Sequence, residues 1–381
     1  MSYITRISAF LPGEPIDNDT MESVLGLVGG KPSRARKVVL RSNGIQTRHY
    51  VIDPATGKPR YSNAELTAEA VRKLAEQGAD LNGVDLLAAG TSTPDQILPS
   101  HGVMVHGALG NPPCEVVSPS GVCASSALAL KYAHMAVSGG FSQQAVAAGS
   151  EVVSTFMQGK NFQAESDKRL AAMERHPEIA FEKDFLRWML SDGAGAAELR
   201  PEPNAQGLSL RIDWIEQLSY ANELDACMYA GARKEEDGRL TGWRELAPQA
   251  WLDESIFAVK QDVRLLNPNV MPVTVSRGLA DMLKKHPLRV DEVDWFLPHY
   301  SSHYFRQKVY DALVAIDFEI PEARWFTNLE RVGNVGAASM YMMLDELFHS
   351  GRIRDGDGIL CYVPESGRFT SVFMKLTAVV R

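Results

Sequence analysis

Short apolar runs of β character alternate with longer helical patterns along almost the whole chain, and this alternation constrains the fold more than any other feature. Val84–Ser92 (VDLLAAGTS) reads as a buried strand entering a polar turn, Cys114–Gly121 (CEVVSPSG) as a second, and Gln143–Glu151 (QQAVAAGSE) as a third. Between the last two, Ala124–Gly140 has helical spacing and closes on a glycine pair suited to a C-cap. A further strand, Gly193 to Leu199, is entered through a glycine-rich turn. The style resumes with an amphipathic stretch at Val275–His286, a strand at Val293–His299, and helical patterns at Ser301–Ile316 and Gly336–Ile353. Two strands around a turn close the chain at Gly356–Val380. This order predicts an α/β layered fold.

Between the two halves, Pro201–Asn269 is less regular and carries Trp214, Tyr220, Tyr229, Trp243 and Trp251. It is too apolar to stay solvated as a linker and reads as an insertion of loops and short helices. Pattern alone gives no internal repeat.

Composition narrows the functional classes. Of 381 residues, 45% are hydrophobic and 23% charged, which is ample for a large core. A net charge of −8 speaks against a nucleic-acid or anionic-membrane partner. The N-terminus has no basic region followed by an apolar stretch, and no apolar run has the length to span a bilayer, so a cytoplasmic, soluble protein is expected. Cys114, Cys123, Cys227 and Cys361 are scattered without a CxxC pair, which argues against a disulfide framework and a zinc site.

Cys123 stands where a strand turns into a helix, with the small residues Gly121, Ala124, Ser125 and Ser126 around it. Unpaired amides of a first helical turn and the positive end of the helix dipole favour a thiolate there, and the same amides can receive an oxyanion. A small buried cysteine under the helix is the alternative. His299 ends the apolar strand WFLP, and Asn334 lies between Gly333 and Gly336 at a helix entry. Taken singly, the histidine reads equally as structural and the asparagine as a cap or turn residue. His299 and His303 are four apart, but no HExxH pattern is met and Pro298 places the first before the helix, so no metal is expected.

Taken together these segments resemble the β-ketoacyl-(acyl carrier protein) synthase III family of the thiolase superfamily. PSGVCASSALAL is similar to its cysteine elbow, LSDGAGAAEL to its GDGAGA strand entry, and VDWFLPHYSSHYFRQ to its histidine segment. LERVGNVGAASM resembles its HGNTSAAS segment, SNGIQTRHY its GIRERH segment, and LDELFHSGRIRDGDGIL its final helix and turn. The resemblance runs over nearly the whole chain. It implies a thiolase fold, two pseudo-symmetric βαβ halves in a five-layered α-β-α-β-α sandwich. The N-terminal half (1–200) carries Cys123, an insertion spans 201–270, and the C-terminal half (271–381) carries His299 and Asn334.

The resemblance also implies an acyltransferase whose catalytic residues are Cys123, His299 and Asn334. Cys123 takes an acyl group from a thioester and joins it to a malonyl- or β-ketoacyl-carrier-protein thioester by Claisen condensation. His299 and Asn334 donate hydrogen bonds to the enolate oxygen, about 3 kcal/mol per donor. No metal or redox cofactor is implied; acyl carrier protein phosphopantetheine or coenzyme A thioesters are substrates. Leu98, in DQILPS, falls where the family reaches across a homodimer into the acyl pocket.

Departures from the family pattern sharpen the expectation. Gln46 replaces a usual arginine and KVVLRS lacks the tryptophan that stacks on coenzyme A, which favours carrier-protein delivery on both sides. Lys31, Arg34, Arg36, Lys37 and Arg41 offer a basic surface for an acidic carrier, or a solvated loop. In YVPESGRF, Pro364, Glu365 and Ser366 replace the family's GGGFTWG turn. Glu365 is thereby a candidate pocket carboxylate, with Arg368 as ion-pair partner, able to serve as general base in a cyclisation; a solvent-facing turn glutamate is the alternative. The most similar branch joins two acyl chains into cyclohexanedione or dialkylresorcinol precursors, a secondary-metabolism ketosynthase of polyketide character rather than the initiator of fatty acid biosynthesis. An acyltransferase to an oxygen or nitrogen acceptor without decarboxylation, and a non-catalytic heterodimer subunit, are the competing readings.

Overall fold

The computed structural model describes residues 1–28, 30–33, 36–162 and 186–381. Nine strands form the central sheet, numbered here in chain order. They are β1 (Tyr3–Phe10), β2 (Leu86–Thr91), β3 (Glu115–Val117), β4 (Ala145–Glu151) and β5 (Gly193–Arg200). The remainder are β6 (Leu208–Ser219), β7 (Trp295–Pro298), β8 (Gly358–Glu365) and β9 (Thr370–Val380). Across the sheet they run β7-β8-β9-β6-β1-β5-β4-β2-β3.

The pairing pattern is the same in both halves. From β1 outward, β5 and then β4 join antiparallel, followed by parallel β2 and β3. From β6 outward, β9 and then β8 join antiparallel, followed by parallel β7 and a single parallel bridge between Phe296 and Trp325. The halves meet through antiparallel β1 and β6, with Tyr3 opposite Arg211 and Ile4 opposite Leu210. A structural correspondence therefore exists where the sequence shows no repeat.

β6 corrects one reading. The stretch expected as loops and short helices contains this twelve-residue strand, the innermost of the second half. Its sequence, LSLRIDWIEQLS, alternates apolar with charged positions because β6 is only partly covered. The rest of the insertion forms two small two-stranded ribbons, Ala232–Lys234 with Leu240–Gly242 and Met228–Tyr229 with Lys260–Gln261, and the expected short helices, among them Trp243–Glu245 and Pro248–Asp253.

Helices cover the sheet for local reasons. α1 (Asn63–Glu76) starts at a capping box in which the Ser62 hydroxyl accepts from the Glu65 amide and the Glu65 carboxylate accepts from the Ser62 amide. Its Ala64, Thr67, Val71 and Leu74 recur at helical spacing and are buried. α2 (Ser125–Ser138) packs on β2 and β4 at backbone distance. A Cβ on Gly90 would lie 2.4 Å from the Ser125 carbonyl oxygen, and one on Gly149 2.4 Å from Ser126 Cβ, so glycine is required at both strand positions. α3 (Ser339–Phe348) lies over β1 and β5. Each fully buried aliphatic side chain in the clusters between these layers contributes about 1.5–3 kcal/mol. Among the described residues no helix is long and apolar enough to cross a membrane.

Candidate active site

Three chain segments far apart in sequence converge on one cavity at the carboxyl ends of β2, β4, β7 and β8. Cys123, His299 and Asn334 all line it. Cys123 sits in the turn just before α2, whose first helical residue is Ser125. His299 directly follows β7, and its amide donates to the Tyr362 carbonyl of β8 at 2.8 Å. The Asn334 backbone is tied to the 189–191 segment, donating to the Met189 carbonyl at 2.9 Å and accepting from the Ser191 amide at 2.8 Å.

Hydrogen bonds define what each side chain offers. The Asn334 side-chain oxygen accepts from the Gly336 amide at 3.0 Å, which leaves its NH2 group as the donor available to the cavity. The His299 ring makes no hydrogen bond to the described residues, and burial drives its pKa down to about 4. At neutral pH it is an uncharged imidazole with one N–H to give. A neutral N–H and an amide NH2 in one cavity suit an oxygen that acquires negative charge during reaction.

Cys123 itself is a correction. Its thiol was expected to be shifted toward thiolate, but it is pushed well above the usual range, first by burial and then by the charges of Glu151 and Glu365. The helix dipole acts on a sulfur that precedes the helix by two residues, while two carboxylates from distant segments act on it directly. At neutral pH the Cys123 sulfur is therefore held as a thiol.

Glu151, at the end of β4, lines the cavity and was missed from the sequence. It is buried, and burial raises its pKa to about 7. Opposing that, it accepts from the Ser92 hydroxyl at 2.7 Å, the Thr93 hydroxyl at 2.9 Å and the Ala337 amide at 3.1 Å. Its neighbours Ser92, Thr93 and Gly336 line the same cavity. A polar residue closing an apolar strand gives no sequence signal of this; only the fold brings its partners from residues 92, 93 and 337.

The expected pocket pair Glu365 and Arg368 is not formed as anticipated. Pro364 and Ser366 line the cavity, and Glu365 at the strand end between them does not. Instead its carboxylate accepts from the Val122 amide at 3.0 Å and the Ala124 amide at 3.2 Å, and burial raises its pKa. Arg368 is exposed and donates to the Leu224 carbonyl at 2.7 Å instead of pairing with Glu365. The insertion reaches the site as well. Gln261 donates to the Ser366 hydroxyl at 3.1 Å, the Met228 amide to the Ser366 carbonyl at 3.1 Å, and both residues line the cavity.

Leu98 lies on an exposed loop outside the cavity lining, 82% exposed beside Ile97 at 69%. Of the basic segment, Lys31, Lys37 and Arg41 are exposed, Arg36 pairs with Asp19 and Glu22, and Arg34 lies outside the described residues. His303 belongs to a short 3-10 turn after the strand end that carries His299, with its Nε2 3.7 Å from Glu330. Among the described residues no group of three or more metal-ligating side chains occurs.

Residues 283–367 match the family model for the 3-oxoacyl-[acyl-carrier-protein] synthase III C terminal, a span that holds His299, Asn334 and Glu365. The chain is 24% identical over 362 residues to a β-ketoacyl-[acyl-carrier-protein] synthase III of Xanthomonas euvesicatoria, covering 94% of this chain and 93% of that one. A synthase III of Synechococcus sp. is 27% identical over 349 residues, covering 87% and 90%. Among solved structures, the tetronic acid condensing enzyme AbyA1 superposes with a TM-score of 0.74 at 20% identity, covering 99% of each chain. The Aquifex aeolicus synthase III gives 0.69 at 18% identity, covering 99% of this chain and 100% of that one. Xanthomonas campestris OleA, with bound lauric acid and lauroyl-CoA, gives 0.70 at 17%, covering 99% and 98%. These structures share the mixed α/β fold of this chain over its whole length.

Proposed function

We propose that this chain, a β-ketoacyl-(acyl carrier protein) synthase III-like acyltransferase, is a condensing enzyme that carries an acyl group on Cys123 and joins it to a carrier-protein thioester. The observation that supports this reading most is the convergence of Cys123, His299 and Asn334 on one cavity. In the loading step the Cys123 sulfur attacks a thioester carbonyl, the new S–C bond replaces the donor's, and the proton of Cys123 leaves with the donor thiol. In the joining step a malonyl- or β-ketoacyl-carrier-protein thioester becomes an enolate, by loss of carbon dioxide or of a proton. The His299 N–H and the Asn334 NH2 stabilise its oxygen while its carbon attacks the acyl-cysteine; the new C–C bond replaces the acyl C–S bond, and the Cys123 sulfur leaves and takes up a proton.

In this proposal the partner is an acyl carrier protein, and the assembly is a homodimer in which the exposed Ile97–Leu98 loop packs against the second copy. The division into halves around 201–270, the five-layered arrangement and a secondary-metabolism product, including a cyclised one, belong to the same proposal. Intact-mass spectrometry after incubation with acyl-carrier proteins, followed by malonyl-carrier protein and product analysis, tests it. An acyl adduct on the parent chain that is absent from Cys123→Ala, and a longer β-keto or cyclised product, are expected. An acyl adduct released only to an oxygen or nitrogen acceptor, with no carbon–carbon bond, would replace condensation by simple transfer. Absence of any adduct refutes the reading.

A further inference from the structure

The amides on either side of the nucleophile are already engaged. Val122 N–H and Ala124 N–H both donate to Oε2 of Glu365, at 3.0 and 3.2 Å. The N–H of Cys123 between them lies against its own sulfur, where it favours the thiolate. Pro364 and Ser366 line the cavity and Glu365 does not, so its carboxylate holds the turn rather than the cavity wall. Two glycines make room for it: a Cβ on Gly121 would lie 3.2 Å from Oε2, and one on Gly367 3.3 Å from Oε1. The turn that delivers Glu365 is fixed in its turn by the Cys227 amide donating to the Gly367 carbonyl at 2.8 Å.

We propose that Glu365 is a positioning residue for the nucleophile: by holding the Val122 and Ala124 amides, it fixes the turn so that the Cys123 amide is the donor for the acyl oxyanion. The proposal rests on the reading of Cys123 as the acyl carrier. During loading the thioester carbonyl oxygen takes negative charge as the Cys123 sulfur adds to the carbon. That oxygen needs a fixed N–H within reach, and the charge collapses when the donor thiol departs with the Cys123 proton. The arrangement has an opposite side. A carboxylate beside the thiol, together with Glu151 and with no charge on His299, disfavours the thiolate.

These two effects have opposite signs on two reactions of one sulfur. Alkylation by iodoacetamide needs the thiolate alone, whereas acyl loading also needs the oxyanion donor. In Glu365→Met, which has neither the charge nor an acceptor, alkylation of Cys123 at pH 7 is expected to accelerate, about tenfold for each pKa unit the thiol falls. Loading from hexanoyl-pantetheine, followed by intact mass in a single turnover, is expected to slow by about 10²-fold, the loss typical of one oxyanion donor. Glu365→Gln keeps an acceptor oxygen without the charge and should give fast alkylation with loading near the parent's; it decides the case if the methionine variant folds poorly. Rates that move together, or do not move, overturn the inference while leaving the parent's loading intact. A parent chain that takes no hexanoyl group overturns the functional reading and this inference with it.

Discussion

Asparagine 334 offers a clean separation of chemistry from structure. Its oxygen holds the Gly336 amide at 3.0 Å, and its NH2 group is the part left for the cavity. Replacement by alanine would orphan the Gly336 N–H in a nearly closed site, at about 1–3 kcal/mol in stability. Asn334→Asp is the sharper perturbation, because a carboxylate oxygen still accepts that amide while the donor is gone. The enolate then loses one of two hydrogen bonds, which costs about 2.7–4 kcal/mol, or about 10²–10³ in rate. Loading of Cys123 does not use this donor, so condensation should fall by far more than loading does, the added carboxylate acting on the thiol only through its charge. The assay is two measurements on one sample: acyl-adduct formation by intact mass, then turnover of the preloaded protein with malonyl-carrier protein. Loading and condensation falling in parallel, or condensation unaffected, would refute the assignment of Asn334 as the enolate donor.

Glu151 makes a claim about pH. Its folded pKa of about 7 lies above the ordinary 4.5, so between these values the folded chain holds a proton that the unfolded chain has released. Stability contributed by the protonated form is therefore present below about pH 4.5 and lost as pH rises through 7, a difference of about 3 kcal/mol. Glu151→Gln should remove it, so the melting temperature of the variant gains on the parent between pH 5 and 8; a constant difference would count against the buried, raised carboxyl. His299, with a pKa of about 4, should show no imidazole titration between pH 5.5 and 8 in NMR of histidine-labelled protein, and a midpoint near 6.5 would disprove its burial. Leu98→Asp should shift the particle from dimer to monomer in light scattering, and an unchanged mass would exclude that loop from the interface.

Much of this was legible in the sequence, and the failures have a common cause. β2, β4, β5, β8 and β9 were visible as apolar runs because their residues are buried on both faces. β6 was not, since its half-covered surface admits Arg211, Asp213 and Glu216, which imitate a solvated loop. The three residues of the site were recognisable because each sits in a local motif. The electrostatics were not: the proton affinity of Cys123 depends on carboxylates 28 and 242 positions away, and no local pattern carries that distance. Glu365 shows both sides of this. The altered turn marked it as unusual, but its partners, the amides of Val122 and Ala124, come from a segment more than 240 positions away.

The matching pairing of the two halves carries a consequence for how such a chain changes over generations. In the proposed reaction, one half presents the atom that bonds to substrate, and the other presents the hydrogen-bond donors that make the bond possible. Neither half has chemistry to select for by itself, so each acts as the other's environment. A substitution that shifts β1 against β6 by a fraction of an ångström is felt at the meeting point of both, whichever half it arose in.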